Sequence, residues 1–279
     1  MPVDDALIQM ALDALGATAV DELRTGGQKT VRLVRQGTTD LVMKVIAVDS
    51  GLPDALRRAQ REVELLQRVD SPHVVKVASD LVELDDPVRG AAWLEEYLDG
   101  EDLVDLVGTE WWTADDATAM AKDVAVGLAE LHKVKVVHRD LSAANVRRLS
   151  NGRFVVMDPG FARHPLRSDL TVGGQPGTAG YLSPEHLHSY SGAPTPASDV
   201  FSVGILLFLA LTGQLPIPYT GDVSDYISRL SRAETLDLDQ LRPDVPEALR
   251  SLVKRCLHPQ SARRPLNGRR LLEALEAIE

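Results

Sequence analysis

Val3, Leu7, Ile8, Ala11, Leu12 and Leu15 recur at the three-and-four spacing of an amphipathic helix, and Gly16 ends the run, which predicts a leading helix over 3–15. Across 20–48 the pattern changes to short Val- and Leu-rich runs. Thr25-Gly26-Gly27 and Gln36-Gly37-Thr38 punctuate them as turns, predicting antiparallel strands. Helical spacing returns over 54–69, with Val63, Leu65 and Leu66 on one face, and stops before Ser71-Pro72. Strands are predicted at 74–77 and 91–94. Beyond Gly100 the period is helical, at 114–132, 199–212, 246–257 and 266–278.

The change of pattern near 96–102 divides the chain. Residues 1–97 read as a small antiparallel sheet with one main helix, 98–102 as a hinge and 103–279 as a larger, mainly helical part. With no internal repeat or low-complexity tract, the two parts read as lobes of one α+β unit, and the cleft between them is the expected site. The longest apolar stretch, 203–211, is well short of the roughly 20 residues a membrane span needs. It reads as a buried core helix, and the opening MPVDDALIQM lacks the basic-then-apolar pattern of a secretion signal.

Composition narrows the picture further. Hydrophobic residues make up 44% and charged residues 25%, the values of an ordinary globular protein. A formal net charge of −11 argues against nucleic acid or anionic lipid as partner, since both need clustered positive charge. A single cysteine, Cys256, excludes an intramolecular disulfide and points to a reducing, cytoplasmic setting. Leu252, Val253 and Leu257 around it suggest a buried helix position. No exposed stripe is distinctive enough to name an oligomer interface.

The chemistry lies downstream of the hinge. Val136-Val137 leads into His138-Arg139-Asp140-Leu141, with Asn145 five residues after Asp140, and an apolar strand over 154–157 ends in Asp158-Pro159-Gly160. Alone, an Asp or Asn in a turn usually caps a helix or closes the turn. In this order they supply what phosphoryl transfer requires. Carboxylate and amide oxygens can hold a hard cation on phosphate, while another carboxylate orients the hydroxyl nucleophile and accepts its proton.

These motifs resemble the catalytic loop and metal-binding turn of the eukaryotic-type protein kinase family, and the resemblance covers nearly the whole chain. It implies a bilobal protein-kinase-like fold using ATP with Mg2+, or Mn2+ in its place, and a protein substrate. Asp140 would be the catalytic base, Asn145 a ligand of one metal ion and Asp158 the main metal ligand. Lys44, set in Leu41-Val42-Met43-Lys44-Val45-Ile46, needs a partner because an unpaired ammonium in an apolar strand is costly. By the resemblance it would meet the α and β phosphates and be fixed by Glu62, with Glu64 a nearby competitor.

The phosphate-covering loop would lie at 24–31, using Gly26, Gly27 and Val31. Glu96 and Leu98 would offer backbone to adenine, with Glu95 behind them as a carboxylate that must find a partner or a proton if buried. The segment 177–185 resembles the peptide-docking end of the activation segment, particularly of bacterial Ser/Thr kinases. Within it Thr178 would favour Ser/Thr substrates. Glu185 would pair with Arg264, and Asp199 would brace the catalytic loop. Arg139 could recruit a phosphorylated Ser168 or Thr171, an unmodified loop being the alternative.

Three departures stand against this pattern. Only Gly26 and Val31 match the family's Gly-x-Gly-x-x-Gly-x-Val, Pro159 stands where Phe is usual, and Ser142 and Ala144 occupy positions that often carry a basic residue. The first reading is an active Ser/Thr protein kinase, carried by Lys44, Glu62, Asp140, Asn145 and Asp158 together, with modification of its own activation segment as one option. The second is a pseudokinase scaffold that binds nucleotide or a partner with little turnover. A small-molecule phosphotransferase would lack the 177–185 segment.

Overall fold

The computed structural model describes residues 3–26, 29–48, 54–85, 88–108, 112–159, 178, 180–187 and 194–278. They form two compact units, one of residues 1–69 with 75–98 and the other of residues 70–74 with 99–279.

The first unit opens with α1 (Asp5–Leu15). The Asp4 carboxylate accepts the Leu7 N–H at 2.8 Å at its start, and Gly16 ends it at φ 61, the left-handed geometry that glycine adopts without strain. The strands β1 (Thr18–Gly26), β2 (Lys29–Gln36), β3 (Thr39–Ala47), β4 (Val82–Leu84) and β5 (Gly90–Glu96) make an antiparallel sheet in the order β1-β2-β3-β5-β4. Helix α2 (Asp54–Leu66) ends three residues before the sequence pattern suggested.

Period-two alternation decides which helix each strand residue meets. Leu41, Met43 and Val45 of β3, with Ala92 and Leu94 of β5, pack against Leu7, Ile8, Ala11, Leu12 and Leu15 of α1. Ile46, Ala91 and Trp93 join Ala59 and Val63 of α2 in a separate cluster. The sheet is therefore covered on both faces. Full burial of each Leu or Ile contributes about 1.5–3 kcal/mol, so α1 is an integral layer of this unit. By the same alternation Lys44 shares the α2 side with Ile46.

In the second unit β6 (Gly100–Asp102), β7 (Val146–Leu149) and β8 (Phe154–Val156) form a small antiparallel sheet. Residues 100–102, expected to belong to a hinge, are thus a paired strand. A Cβ on Gly100 would lie 2.0 Å from the Arg148 carbonyl oxygen, so the β6–β7 approach needs glycine there. A strand was also expected at 74–77. The structure has only single bridges instead, Val74 to Val156 in this unit and Val77 to Glu95 in the first.

The helices of the second unit are α3 (Leu103–Leu106), α4 (Ala114–Lys133), α5 (Pro196–Thr212), α6 (Val223–Ser231), α7 (Leu238–Leu241), α8 (Glu247–Cys256) and α9 (Gly268–Glu276). Every residue of α5 from Ala197 to Thr212 is buried, which explains its apolar character on all sides. Among the described residues no helix is long and apolar enough to cross a membrane. Cys256 is fully buried on α8, and desolvation pushes its thiol up to about 12, so it acts as a small apolar side chain.

Candidate active site

In the first unit, the β3–β5 register sets Lys44 opposite Trp93 and Val42 opposite Glu95. Glu95 is therefore a diagonal neighbour of Lys44 on the same face. Lys44 Nζ meets Glu95 Oε2 at 2.5 Å, and Trp93 Nε1 donates to Glu95 Oε1 at 2.9 Å. All three side chains are buried, with Glu95 2% exposed. Glu95 is thus a partner of Lys44 that the sequence reading, which favoured Glu62, did not name. The same bond answers the need of the Glu95 carboxylate for a countercharge. Glu62 is itself 1% exposed on α2, whereas Glu64 is exposed.

Elsewhere in this unit Val31 of β2 faces Lys44 across the ladder, and Gly26 is the last residue of β1. Gly27 lies outside the described residues, as do Ser168 and Thr171. Glu96 is tied to Lys76 at both ends, its N–H to the Lys76 carbonyl at 2.9 Å and its Oε1 to the Lys76 N–H at 2.8 Å. Leu98 is buried.

In the second unit, Asp140 and Asn145 are brought together by a 3-10 turn over Ala143–Asn145. Asn145 Nδ2 donates to the Asp140 carbonyl at 2.8 Å and to Oδ2 at 3.3 Å, while Thr178 Oγ1 donates to Asp140 Oδ1 at 2.8 Å. These bonds settle the amide orientation, because the nitrogen must face Asp140 and the oxygen must point the other way. The backbone carbonyl of Asn145 accepts the Met157 N–H at 2.9 Å, which ties the turn to the residue before Asp158. Asp158 takes a positive φ of 50, a region Asp tolerates better than most residues.

Arg139 also has a positive φ, 66, which is unfavourable for a long side chain. Both its backbone groups are held. Its N–H donates to Asp199 Oδ1 at 2.9 Å and its carbonyl accepts from His186 Nε2 at 3.1 Å. Asp199 also accepts the His138 N–H and His132 Nε2, at 2.8 and 2.9 Å. Because Gly268 N–H donates to His132 Nδ1 at 3.0 Å, Nδ1 is the accepting nitrogen of the ring and Nε2 the one that donates to Asp199. The same logic applies to His186, whose Nδ1 accepts the Ser183 N–H at 3.1 Å. His138 Nε2 binds the Met157 carbonyl at 2.9 Å, a further link between the loop and the Asp158 turn.

Glu185 and Arg264 meet at 2.8 Å. Arg264 also donates to the carbonyls of Ala197, His258 and Pro259 at 3.0, 2.6 and 2.9 Å, and lies 4.7 Å from the Phe201 ring centre. Burial lowers the Arg264 pKa, an effect that Glu185 opposes.

Sequence reasoning missed His132, His186, Ser183 and the role of Trp93. The one local signal was His132 at the end of a helix, one residue after the buried Leu131. The donor set present fits a hard divalent cation: an amide oxygen directed away from Asp140 on Asn145, and a carboxylate on Asp158.

Residues 19–273 match the family described as "Protein kinase domain". The chain is 30% identical over 258 residues to mitogen-activated protein kinase kinase 9 of Arabidopsis thaliana, covering 91% of this chain and 82% of that protein. It is 33% identical over 261 residues to a probable serine/threonine-protein kinase, PkwA, of Thermomonospora curvata, covering 91% of this chain and 33% of that one. To the serine/threonine-protein kinase drp72 of Corynebacterium efficiens it is 30% identical over 260 residues, again 91% of this chain but 49% of its relative. The chain thus spans half or less of these two bacterial relatives.

Proposed function

The chain belongs to the protein kinase family, and on that premise we propose that it transfers the γ-phosphate of ATP to serine and threonine hydroxyls of proteins. The observation that carries this reading is the Asp140 carboxylate held between Asn145 Nδ2 and Thr178 Oγ1. A base fixed from two sides is presented in one orientation to an incoming hydroxyl.

In this assignment Asp140 orients the substrate hydroxyl and takes its proton, and Lys44 binds the α and β phosphates. Asn145 and Asp158 would hold Mg2+, which when bound neutralises charge on the phosphates. Asp199 contributes by clamping the backbone of His138 and Arg139, which keeps Asp140 in register. Thr178 holds the base and stands in the segment that would receive the peptide. Glu96 and Leu98 would offer backbone to adenine, and Gly26, Gly27 and Val31 would cover the phosphates. Because Lys44, Asp140, Asn145 and Asp158 are all present, a scaffold without turnover is not favoured. A single, buried cysteine is in keeping with a cytoplasmic setting. Ser168 or Thr171 would be the residues modified in the chain itself, with Arg139 as the cation nearest in sequence to the base.

Phosphoamino acid analysis tests the reading. After incubation of the chain with ATP, Mg2+ and a generic basic protein, phosphoserine and phosphothreonine are expected. Phosphotyrosine alone, or no phosphorylated residue, would contradict it.

A further inference from the structure

The buried carboxylate of Glu95 has no place in the phosphate chemistry assigned above, yet it holds the one lysine that chemistry needs. Lys44 Nζ and Glu95 Oε2 are 2.5 Å apart, and both side chains are almost wholly out of solvent. Trp93 Nε1 pins the other oxygen at 2.9 Å, so Glu95 cannot swing away without giving up a second bond. From this geometry we propose that Glu95 is a specificity-setting residue that competes with nucleotide phosphate for Lys44 and thereby raises the ATP concentration the chain requires. The proposal rests on the nucleotide-binding reading of Lys44.

The sign follows from charge alone. If the ammonium leaves Glu95 for the phosphates, it strands a carboxylate that is 2% exposed with the Trp93 N–H as its remaining bond in this triad, and a buried charge deprived of its countercharge is costly. If the ammonium stays and the phosphates approach it, two anionic groups share one cation and repel each other through a medium of low polarity. Either way Glu95 opposes phosphate. It does not oppose adenosine, which carries the same base and sugar without the charge. The effect is thus confined to the phosphate end of the ligand, which separates it from any change in the shape of the adenine site.

The test is a titration of the wild-type chain, Glu95→Gln and Glu95→Asp with ATP and with adenosine, read by calorimetry, together with KM and kcat for ATP. Glu95→Gln keeps the size of the side chain and removes the charge. Its affinity for ATP is expected to rise about tenfold with adenosine affinity unchanged, and KM for ATP to fall. Glu95→Asp keeps the charge on a shorter side chain and should bind ATP more weakly than Glu95→Gln, while unchanged adenosine binding by Glu95→Gln shows that the neutral variant is folded. ATP binding that is unchanged or weaker in Glu95→Gln, or ATP and adenosine tightened alike, would overturn the competition while leaving nucleotide binding intact. Absence of ATP binding to all three proteins would overturn both the competition and the reading beneath it.

Discussion

His132 donates its Nε2 proton to Asp199 Oδ2 at 2.9 Å, and through Asp199 the end of α4 reaches the backbone of His138 and Arg139. The loop bearing Asp140 is therefore held by an ion-and-hydrogen-bond cluster built on two helices, α4 and α5. Burial alone would raise the Asp199 pKa, but the His132 bond and the backbone N–H groups outweigh it and the net shift is downward.

A carboxyl whose folded pKa is depressed stabilises the fold above its unfolded pKa and loses that contribution as pH falls through the folded value. For Asp199 the loss begins below about 3.8, the unperturbed value. Asp199→Asn should destabilise the chain by about 3 kcal/mol at neutral pH, because it removes one partner of a buried cluster, and the penalty should shrink in acid. Denaturant unfolding of both proteins at neutral pH and below pH 3.8 checks this.

His186 titrates in a different window. Burial lowers its pKa, against the opposing pull of the Arg139 carbonyl, Asp199, Glu185 and Ser183. The neutral ring is the folded form, since Nδ1 must accept the Ser183 N–H. Stability tied to His186 is complete above 6.5 and falls as pH drops below that value toward the folded pKa. His186→Asn should flatten this part of the pH–stability curve relative to wild type. A variant curve parallel to wild type from about pH 5 to 8 would show that the ring does not carry the dependence.

Arg264→Lys keeps the charge opposite Glu185 but cannot reproduce a fork that donates to Glu185 and to the carbonyls of Ala197, His258 and Pro259. A loss of about 2–4 kcal/mol is expected, from carbonyls left without donors and from the lost stacking on Phe201. Thermal unfolding measures it directly. A change within about 0.5 kcal/mol would place the fork among the weak surface pairs.

Much of the architecture was legible because strong periodicity survives packing. The α1 stripe was read from its spacing and α5 from its continuous apolar run, and Asp140, Asn145 and Asp158 were singled out by their order. Short elements escaped. Strands β4 and β6 are 3 residues each, too short for a period-two signal, and β6 forms only because Gly100 lets β7 approach. The Lys44–Glu95 pair escaped for another reason. It depends on the β3–β5 register, which joins residues 51 positions apart, and no local pattern encodes that pairing. His186 and His132 belong to the same class, since their partners Arg139 and Asp199 are distant in sequence.

The most direct test of the central claim is transfer of labelled γ-phosphate from ATP, in the presence of Mg2+, to a protein substrate by wild type and by Asp140→Asn. The substitution leaves the Thr178 and Asn145 contacts space to form while removing the base. Wild-type transfer is predicted, with a fall of about a hundredfold or more in the variant. Equal transfer by both proteins, or none by wild type, would contradict the account.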